Sequence, residues 1–253
     1  MSSTAYPPSF AYPLSVRGFF DQPSRALWLI KWLLLIPHYI ILVFLWLAFW
    51  VVTVIAFFAI LFTTRYPKGL FDFNVGVIRW SWRVSFYGYA ALGTDRYPPF
   101  TLADVADYPA RLDLEYPQQL NRWLPLVKWL LAFPQYILVG ALVGSGYVVA
   151  TTMQDGRPVT YSTPSLIGAC VLIAAIALLF TTRYPPGLFD LALGIDRWGY
   201  RLLVYAALMT DRYPPFRLHQ GSIDIEGPPQ PPATSDAWQV EQPPRYRPEA
   251  EPG

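Results

Sequence analysis

Long apolar runs alternate with short polar, proline-containing segments along the chain. The first run covers residues 26–63 and is interrupted only by Lys31, Pro37 and His38. A helix needs about 20 predominantly apolar residues to cross the hydrocarbon layer of a membrane, at about 1.5 Å per residue. This run is too long for one upright span. It predicts either an interfacial helix followed by one tilted span, or a tight hairpin, although no Gly, Pro or Asn marks a turn between residues 39 and 62.

Two shorter apolar runs occupy residues 134–152 and 165–181 in the second half of the chain. A polar, turn-rich stretch at 153–164 separates them. Each run is close to the length of one span, which predicts a two-helix hairpin joined by an extracytoplasmic loop. The expected fold is therefore all-α, an integral membrane protein with three or four spans in total.

Two copies of one sequence unit account for most of the chain. Leu-Phe-Thr-Thr-Arg-Tyr-Pro-x-Gly-Leu-Phe-Asp occupies 61–72 and 179–190, Thr-Asp-Arg-Tyr-Pro-Pro-Phe occupies 94–100 and 210–216, and Lys-Trp-Leu-Leu occupies 31–34 and 128–131. The three blocks keep the same order in both halves, so chance is a poor explanation. The pattern indicates an internal duplication.

The repeats divide the chain into five segments. These are an N-terminal cytoplasmic or interfacial segment (1–22), membrane repeat 1 (23–102), a linker (103–118), membrane repeat 2 with its loop near 153–164 (119–218), and a tail (219–253). The tail is rich in Pro, Gln and Glu. Such a composition cannot bury enough apolar surface to offset the entropy of ordering it, which predicts disorder.

Composition and charge agree with a membrane protein. Hydrophobic residues make up 54% of the chain and charged residues only 14%, whereas an ordinary soluble domain has roughly 25% charged residues. A net charge of +2 is too small for nucleic-acid binding, which calls for a basic stripe. If both repeats are hairpins, every Lys and Arg except Arg157 lies on one side; if repeat 1 is a single span, Arg17, Arg25 and Lys31 join Arg157 on the other side. In both cases the positive-inside rule places the Arg-Tyr-Pro blocks and the tail in the cytoplasm.

The Arg-Tyr-Pro block predicts a corner between two helices. Pro cannot continue the preceding helix, Gly permits a sharp turn, and a carboxylate suits the start of the next helix. In repeat 1 the corner residues are Arg65, Tyr66, Pro67, Gly69 and Asp72. In repeat 2 they are Arg183, Tyr184, Pro185, Gly187 and Asp190.

The segment after each corner carries arginines at helical spacing on one stripe. They are Arg79 and Arg83 in repeat 1, and Arg197 and Arg201 in repeat 2. Two arginines one turn apart would be costly at the centre of a span, which predicts an amphipathic helix lying in the cytoplasmic interface. Two roles are open to these arginines. They bind anionic lipid headgroups, or they form an ion-pair network with Asp72 and Asp190 that fastens each helix to its corner.

Few other residues suggest chemistry. Gly140 and Gly144 form a small-residue face of the kind that lets membrane helices pack closely. Cys170 lies within an apolar run and is expected to be a packing residue. His38 and His219 are far apart in sequence, so we expect neither a metal pair nor a proton relay. No catalytic residue and no cofactor are expected.

The two Arg-Tyr-Pro blocks resemble those of a bacterial membrane family known as domain of unknown function 4389, over both repeats. The resemblance implies an actinobacteria-rich family, a location in the bacterial cytoplasmic membrane, and no catalytic residues to assign. We therefore expect a multi-pass, non-enzymatic envelope protein that organises anionic membrane lipids or a partner membrane protein through its arginines. The alternative is a small transporter or channel subunit, which the shortage of polar residues within the spans disfavours.

Overall fold

The computed structural model describes residues 12–143, 152–154, 157–159, 165–216 and 218. The described chain is mostly helical, with two small two-stranded sheets. Its elements are β1 (Leu14–Gly18), α1 (Trp28–Thr63), α2 (Lys68–Tyr87), β2 (Ala110–Leu114), α3 (Leu124–Leu131), α4 (Phe133–Val143), β3 (Thr152–Gln154), β4 (Arg157–Val159), α5 (Leu166–Thr181) and α6 (Pro186–Ala206). The tail at 219–253, predicted to be disordered, lies outside the described residues, as does Gly144.

Helix α1 decides between the alternatives for repeat 1, because it is one continuous helix of 36 residues and not a hairpin. Its buried side chains recur every three, four or seven residues and so share one face. They are Lys31, Leu35, His38, Leu42, Phe49, Thr53, Ala56 and Ile60. The remaining faces are apolar and largely exposed. Among the described residues, α1 alone is long and apolar enough to cross a membrane, while α3 and α4, bent by 47°, pass the same test only as one broken span.

In repeat 2, three shorter helices, α3, α4 and α5, take the place of the single helix α1 of repeat 1. At the C-terminal end of α6, Trp129 Nε1 in α3 donates to Ala206 O at 3.0 Å. Nearer the middle of α6, Trp198 Nε1 donates to Gln135 Oε1 in α4 at 2.9 Å. Helix α5 instead packs on the N-terminal half of α6, through the cluster of Ile167, Ala192 and Ile195. Helices α4 and α5 therefore succeed one another along α6, and the predicted two-helix hairpin is wrong.

The polar stretch between α4 and α5 contains a short antiparallel pair. Strands β3 and β4 place Gln154 beside Arg157. Lys31 and Arg65 are 34 positions apart, whereas the equivalent Lys128 and Arg183 are 55 positions apart. The 21 extra residues of repeat 2 are thus an insertion into the path that α1 follows without a break.

Strands β1 and β2 pair antiparallel and form a ribbon, which an all-α prediction does not include. Val16 pairs with Leu112 at its centre. A Tyr-Pro dipeptide precedes each strand, at 12–13 and 108–109, so the repeat begins further upstream than its three long blocks indicate. Strand β1 packs on α6 of repeat 2 and β2 on α2 of repeat 1. The segments assigned as N-terminal segment and linker therefore lock the two copies together.

The main core lies where the ribbon meets α2 and α6. Leu14, Val16 and Leu112 of the ribbon pack there with side chains of both helices, including Trp82 and Phe86. The approach is close, since a Cβ at Gly18 would lie 2.6 Å from the ring of Phe86. Cys170 of α5 is also buried, at the place expected for a packing residue.

Candidate functional site

In repeat 1, the Lys-Trp-Leu-Leu and Thr-Asp-Arg-Tyr-Pro-Pro-Phe blocks meet at Lys31. This side chain is fully buried. Its Nζ donates to Thr94 O at 2.7 Å and lies 3.0 Å from Asp95 Oδ1, with the ring of Tyr87 4.5 Å away. The backbone N–H of Ser24 donates to the same carboxylate at 2.5 Å. A buried ammonium is tolerated only when it is paired and hydrogen-bonded, and this arrangement supplies both.

Repeat 2 builds the same arrangement around Lys128, which is also fully buried. Its Nζ donates to Thr210 O at 2.8 Å, lies 2.7 Å from Asp211 Oδ1, and sits 5.2 Å from the ring of Tyr205. The backbone N–H of Asn121 donates to the carboxylate at 2.6 Å. We call each arrangement a lysine latch. It ties the start of the apolar helix to the loop that follows α2 or α6.

A tyrosine of the same loop supports each latch. Its hydroxyl donates to a helix carbonyl, from Tyr97 to Leu34 at 3.0 Å and from Tyr213 to Leu131 at 3.1 Å. In both repeats a proline follows three residues later, Pro37 or Pro134. Proline removes one helical hydrogen bond and loosens the turn before it. The hydroxyl provides that turn with a new donor.

The two latches differ at one polar position, where His38 stands in repeat 1 and Gln135 in repeat 2. Both side chains are fully buried, and each accepts a hydrogen bond from a tryptophan. Gln135 Nε2 also donates to Pro214 O at 2.6 Å, while Nε2 of His38 has no hydrogen-bond partner in the described part of the chain. Phe100 stacks on the imidazole at 4.0 Å. Within the described residues no cluster of three or more His, Cys, Asp or Glu side chains could hold a metal.

The arginine stripe faces the interior of the protein. Arg83, Arg197 and Arg201 are 2%, 1% and 1% exposed. Arg79 Nε donates to Leu112 O at 2.7 Å, and the equivalent Arg197 Nε donates to Val16 O at 2.8 Å. These two carbonyls belong to the residue pair at the centre of the ribbon, so the two arginines clamp both strands.

The other two arginines of the stripe contact residues outside the two strands of the ribbon. Arg83 donates to the carbonyls of Thr101 and Ala103, and Arg201 lies over the ring of Tyr12 at 5.5 Å. Burial lowers the pKa of Arg83. Three arginines of the stripe therefore donate to backbone carbonyls, and Arg201 lies over an aromatic ring.

These contacts correct both roles expected for the stripe. Three of its four arginines are enclosed and cannot reach headgroups, and α2 and α6 do not present them to an interface. The predicted pairing with Asp72 is also wrong, because Asp72 pairs with Lys68 at 3.1 Å and Arg79 pairs with Asp113 at 3.1 Å. Helical spacing could not show this, since the partners lie on strands and loops remote in sequence.

At the corners, the turn is made by threonine. Thr64 and Thr182 are in the left-handed conformation, with φ of 60° and 58°. Gly69 and Gly187 instead lie in the first turns of α2 and α6, where the preceding prolines, Pro67 and Pro185, occupy the N-cap positions. Asp72 and Asp190 lie one turn further along. The sharp turn predicted at glycine thus falls five residues earlier.

Only one side chain of each Arg-Tyr pair is buried. Tyr66 accepts a hydrogen bond from Asn74 at 3.0 Å, and Tyr184 donates to Ala91 O at 2.8 Å. Burial raises the pKa of Tyr66 to about 12. Arg65 and Arg183 remain exposed at the ends of α1 and α5, which leaves them as the accessible members of the predicted arginine set.

The helix packing predicted at Gly140 is not observed. Gly140 is exposed, and a Cβ built there would meet no described residue within 4 Å. Helix α4 packs on α6 through a different glycine, since a Cβ at Gly199 would lie 3.9 Å from Val139 and from Val143. The glycine at the contact between α4 and α6 thus belongs to α6 and not to α4.

One buried carboxyl has no counterpart in repeat 1. Asp196 of α6 is 7% exposed and occupies the position equivalent to Ile78. Its Oδ2 has no hydrogen-bond partner in the described part of the chain. Burial raises the pKa of Asp196 well above its ordinary value of 3.8, which favours the neutral acid.

The fold defines a class of protein: a mostly helical chain built from two interlocked copies of one unit, in which one helix among the described residues is long and apolar enough to cross a membrane. The model of a known family, domain of unknown function DUF4389, matches residues 25–101 and 159–217, one segment in each repeat. The chain belongs to this family, and the match is consistent with two tandem copies. No curated protein and no solved structure matches the chain significantly.

Proposed function

We propose that this protein is a non-enzymatic, membrane-embedded protein of the bacterial envelope that holds anionic lipid at its two arginine corners. The observation that carries the proposal is the exposed pairing of a phenylalanine and an arginine at each corner. Phe62 and Phe180 are each 76% exposed and lie three residues before Arg65 and Arg183, which are exposed as well. The same pairing ends the apolar helix in both repeats.

This pairing suits the boundary between acyl chains and headgroups. An exposed apolar ring favours the acyl region, and a guanidinium fork matches phosphate oxygens with two parallel hydrogen bonds. Each basic residue near an anionic membrane surface contributes on the order of 1 kcal/mol. The arginines of the stripe are excluded from this role because three of them are enclosed in the protein and the fourth, Arg79, donates to Leu112 O and to Asp113.

Exposed apolar surface supports the membrane location. Soluble monomers rarely expose contiguous apolar patches larger than a few hundred Å². Here the exposed large apolar side chains follow α1 from end to end and continue over its equivalents in repeat 2. Those at least half exposed include Val43, Phe44, Leu47, Trp50 and Phe58 of α1, Leu126 and Leu130 of α3, Ile137 of α4, and Leu172 and Ile173 of α5.

The test uses the double variant Arg65→Gln/Arg183→Gln, with Arg17→Gln/Arg111→Gln as a control that removes the same charge from the ribbon. Protein in neutral detergent is titrated with phosphatidylglycerol or phosphatidylcholine and bound lipid is measured by native mass spectrometry. Two lost charges of about 1 kcal/mol each should reduce the preference for the anionic lipid by about 30-fold. The wild-type preference should also weaken as salt rises, with a Debye length of about 8 Å at physiological ionic strength.

An unchanged preference in a well-folded corner variant would refute the proposal, as would an equal loss in the control. The alternative of a small transporter or channel subunit predicts substrate flux in proteoliposomes, which a lipid-holding role does not. Copurification from native membranes, followed by lipid and protein mass spectrometry, would identify a partner membrane protein.

A further inference from the structure

The two repeats are related by a local twofold axis that passes through the ribbon. Val16 and Leu112 are equivalent positions and pair with each other. An axis that exchanges two antiparallel strands stands perpendicular to the sheet they form, because it must also reverse their direction. Such an axis keeps both repeats on the same face of the ribbon. Helices α2 and α6, which hold the ribbon through Arg79 and Arg197, therefore lie on one side of it.

The long apolar paths run antiparallel, with their ends in contact. The start of each lies beside the end of the other, since Leu120 N–H donates to Thr64 O at 2.9 Å and Arg25 donates to Leu179 O at 3.0 Å. Close to the first of these contacts, the ring of Phe57 in α1 stacks on Trp129 of α3 at 6.0 Å. A twofold rotation reverses the component of a helix direction that is perpendicular to the axis and leaves the component along the axis unchanged. Paths that it makes antiparallel must lie across it, and so parallel to the plane of the ribbon.

The protein covers one side of α1 along its whole length. Tyr89 donates to Trp28 O at 2.6 Å near the start, Trp46 donates to Ser81 at 3.1 Å in the middle, and Asn74 donates to Thr53 at 3.2 Å nearer the end. The opposite side is apolar and exposed from Leu29 to Phe62. The helix thus separates a protein-covered side from an apolar side over all of its 36 residues.

We propose that α1 and the α3–α4–α5 path lie in the plane of one leaflet, with the twofold axis along the membrane normal. This inference rests on the proposed function and states where its lipid lies: acyl chains of a single leaflet cover the apolar side of both paths. The protein is then anchored from one face and does not thread through the bilayer. Both arginine corners lie on that same face, as the positive-inside rule requires.

A transmembrane orientation fits the molecule less well. A helix of 36 residues is about 54 Å long, against about 30 Å of hydrocarbon, and would need more than the usual tilt of up to about 40°. It would also turn the twofold axis into the membrane plane and bring the ribbon and its loops to bilayer depth. Asp107, which is 73% exposed on its side chain, and Arg111 lie there, and charges at that depth cost several kcal/mol each.

Spin-label depth along α1 tests this arrangement. Single cysteines replace four exposed residues spread over the helix in a Cys170→Ser background, and a fifth replaces a residue on the ribbon side as an aqueous control. The four are Leu33, Val43, Val51 and Phe62, and the control is Asp107. Each labelled protein is reconstituted into vesicles of phosphatidylglycerol and phosphatidylcholine, and accessibility to oxygen is compared with accessibility to a polar nickel complex.

The in-plane arrangement predicts similar, shallow depths for all four labels, each less than about 15 Å below the headgroups, which is half the hydrocarbon thickness. A profile that reaches the bilayer centre at Val43 and Val51 and is shallow at the two ends would overturn the arrangement and leave the lipid-holding role intact. Water accessibility equal to that of the Asp107 label at all four positions would overturn both. Each variant must match the wild-type melting curve, and Val54→Cys replaces Val51→Cys if the latter does not.

Discussion

Breaking one lysine latch should destabilise the protein far more than breaking an exposed ion pair. The substitution Asp95→Asn removes the carboxylate and leaves the fully buried Lys31 ammonium with Thr94 O, 2.7 Å away, and the ring of Tyr87. Removing one partner of a buried pair costs about 3–5 kcal/mol. The side chain of Asp95 is 26% exposed, so solvent reduces the cost, and we expect about 2–3 kcal/mol, or roughly 4–12 °C in Tm for a chain of this size.

The matched control is Asp72→Asn, which breaks the exposed pair with Lys68 in α2. Such an i,i+4 pair contributes about 0.3–0.5 kcal/mol, so Tm should fall by at most about 2 °C. Thermal unfolding in neutral detergent measures both variants. The double variant Lys31→Met/Asp95→Asn should recover much of the loss, because it removes the uncompensated charge. Equal Tm values for Asp95→Asn and Asp72→Asn would refute the reasoning, as would a double variant less stable than Asp95→Asn.

The lysine latch also makes the stability of the protein depend on pH in the acid range. Burial alone would raise the pKa of Asp95, but hydrogen bonds from Ser24 and Lys31 outweigh it and hold the pKa below the ordinary value of 3.8. A depressed folded-state pKa gives stability that is present above the unfolded value and lost as pH falls through the folded one. The Tm difference between the wild type and Asp95→Asn should therefore shrink on acidification below about pH 4.

Three further substitutions test other parts of the structure by thermal unfolding. His38→Gln should raise Tm by about 2–4 °C, because an amide Nε2 at this position can donate to Pro98 O as in repeat 2, and one buried hydrogen bond contributes about 1 kcal/mol; an unchanged Tm would contradict this. Asp196→Asn should raise Tm at pH 8 and have little effect at pH 4, because burial raises the pKa of Asp196 and the cost of its charge grows only as pH rises above the unfolded value. Arg197→Gln should cost about 2–3 kcal/mol, because Val16 O loses a charged donor, and faster hydrogen exchange of ribbon amides should locate the damage there.

The internal repeat, the apolar run and the helix end before each Tyr-Pro could be predicted from the order of residues alone. The position of the sharp turn and a single helix over the whole of the first apolar run could not. At the first corner the apolar run is followed directly by Thr-Thr-Arg-Tyr-Pro, and Thr63 bonds back to Ala59 O at 2.7 Å as a threonine at a helix end can. The family resemblance rests on the same blocks. These features depend on backbone chemistry within a few residues, which the sequence displays directly.

The partners of the charged residues could not be predicted in the same way. Lys31 and Asp95 are 64 positions apart in the sequence, and Arg197 reaches a carbonyl of β1 in the other repeat. The ribbon is formed by two five-residue strands that are far apart along the chain, so nothing local in the sequence shows that they pair. One signal for the latch was present in the sequence. A lysine within an apolar run recurs in both repeats together with an aspartate, and a buried charge requires a counter-ion.

The position of the two ends of α1 tests the central claim most directly. Ala26 and Lys68 are exposed on either side of the helix, and each can be replaced by a single cysteine in the Cys170→Ser background. Labelling with a membrane-impermeant thiol reagent is compared in right-side-out and inverted vesicles. An apolar helix lying in one leaflet predicts that both positions are labelled from the same side, which is the cytoplasmic one. Labelling of the two positions from opposite sides would show that α1 crosses the membrane.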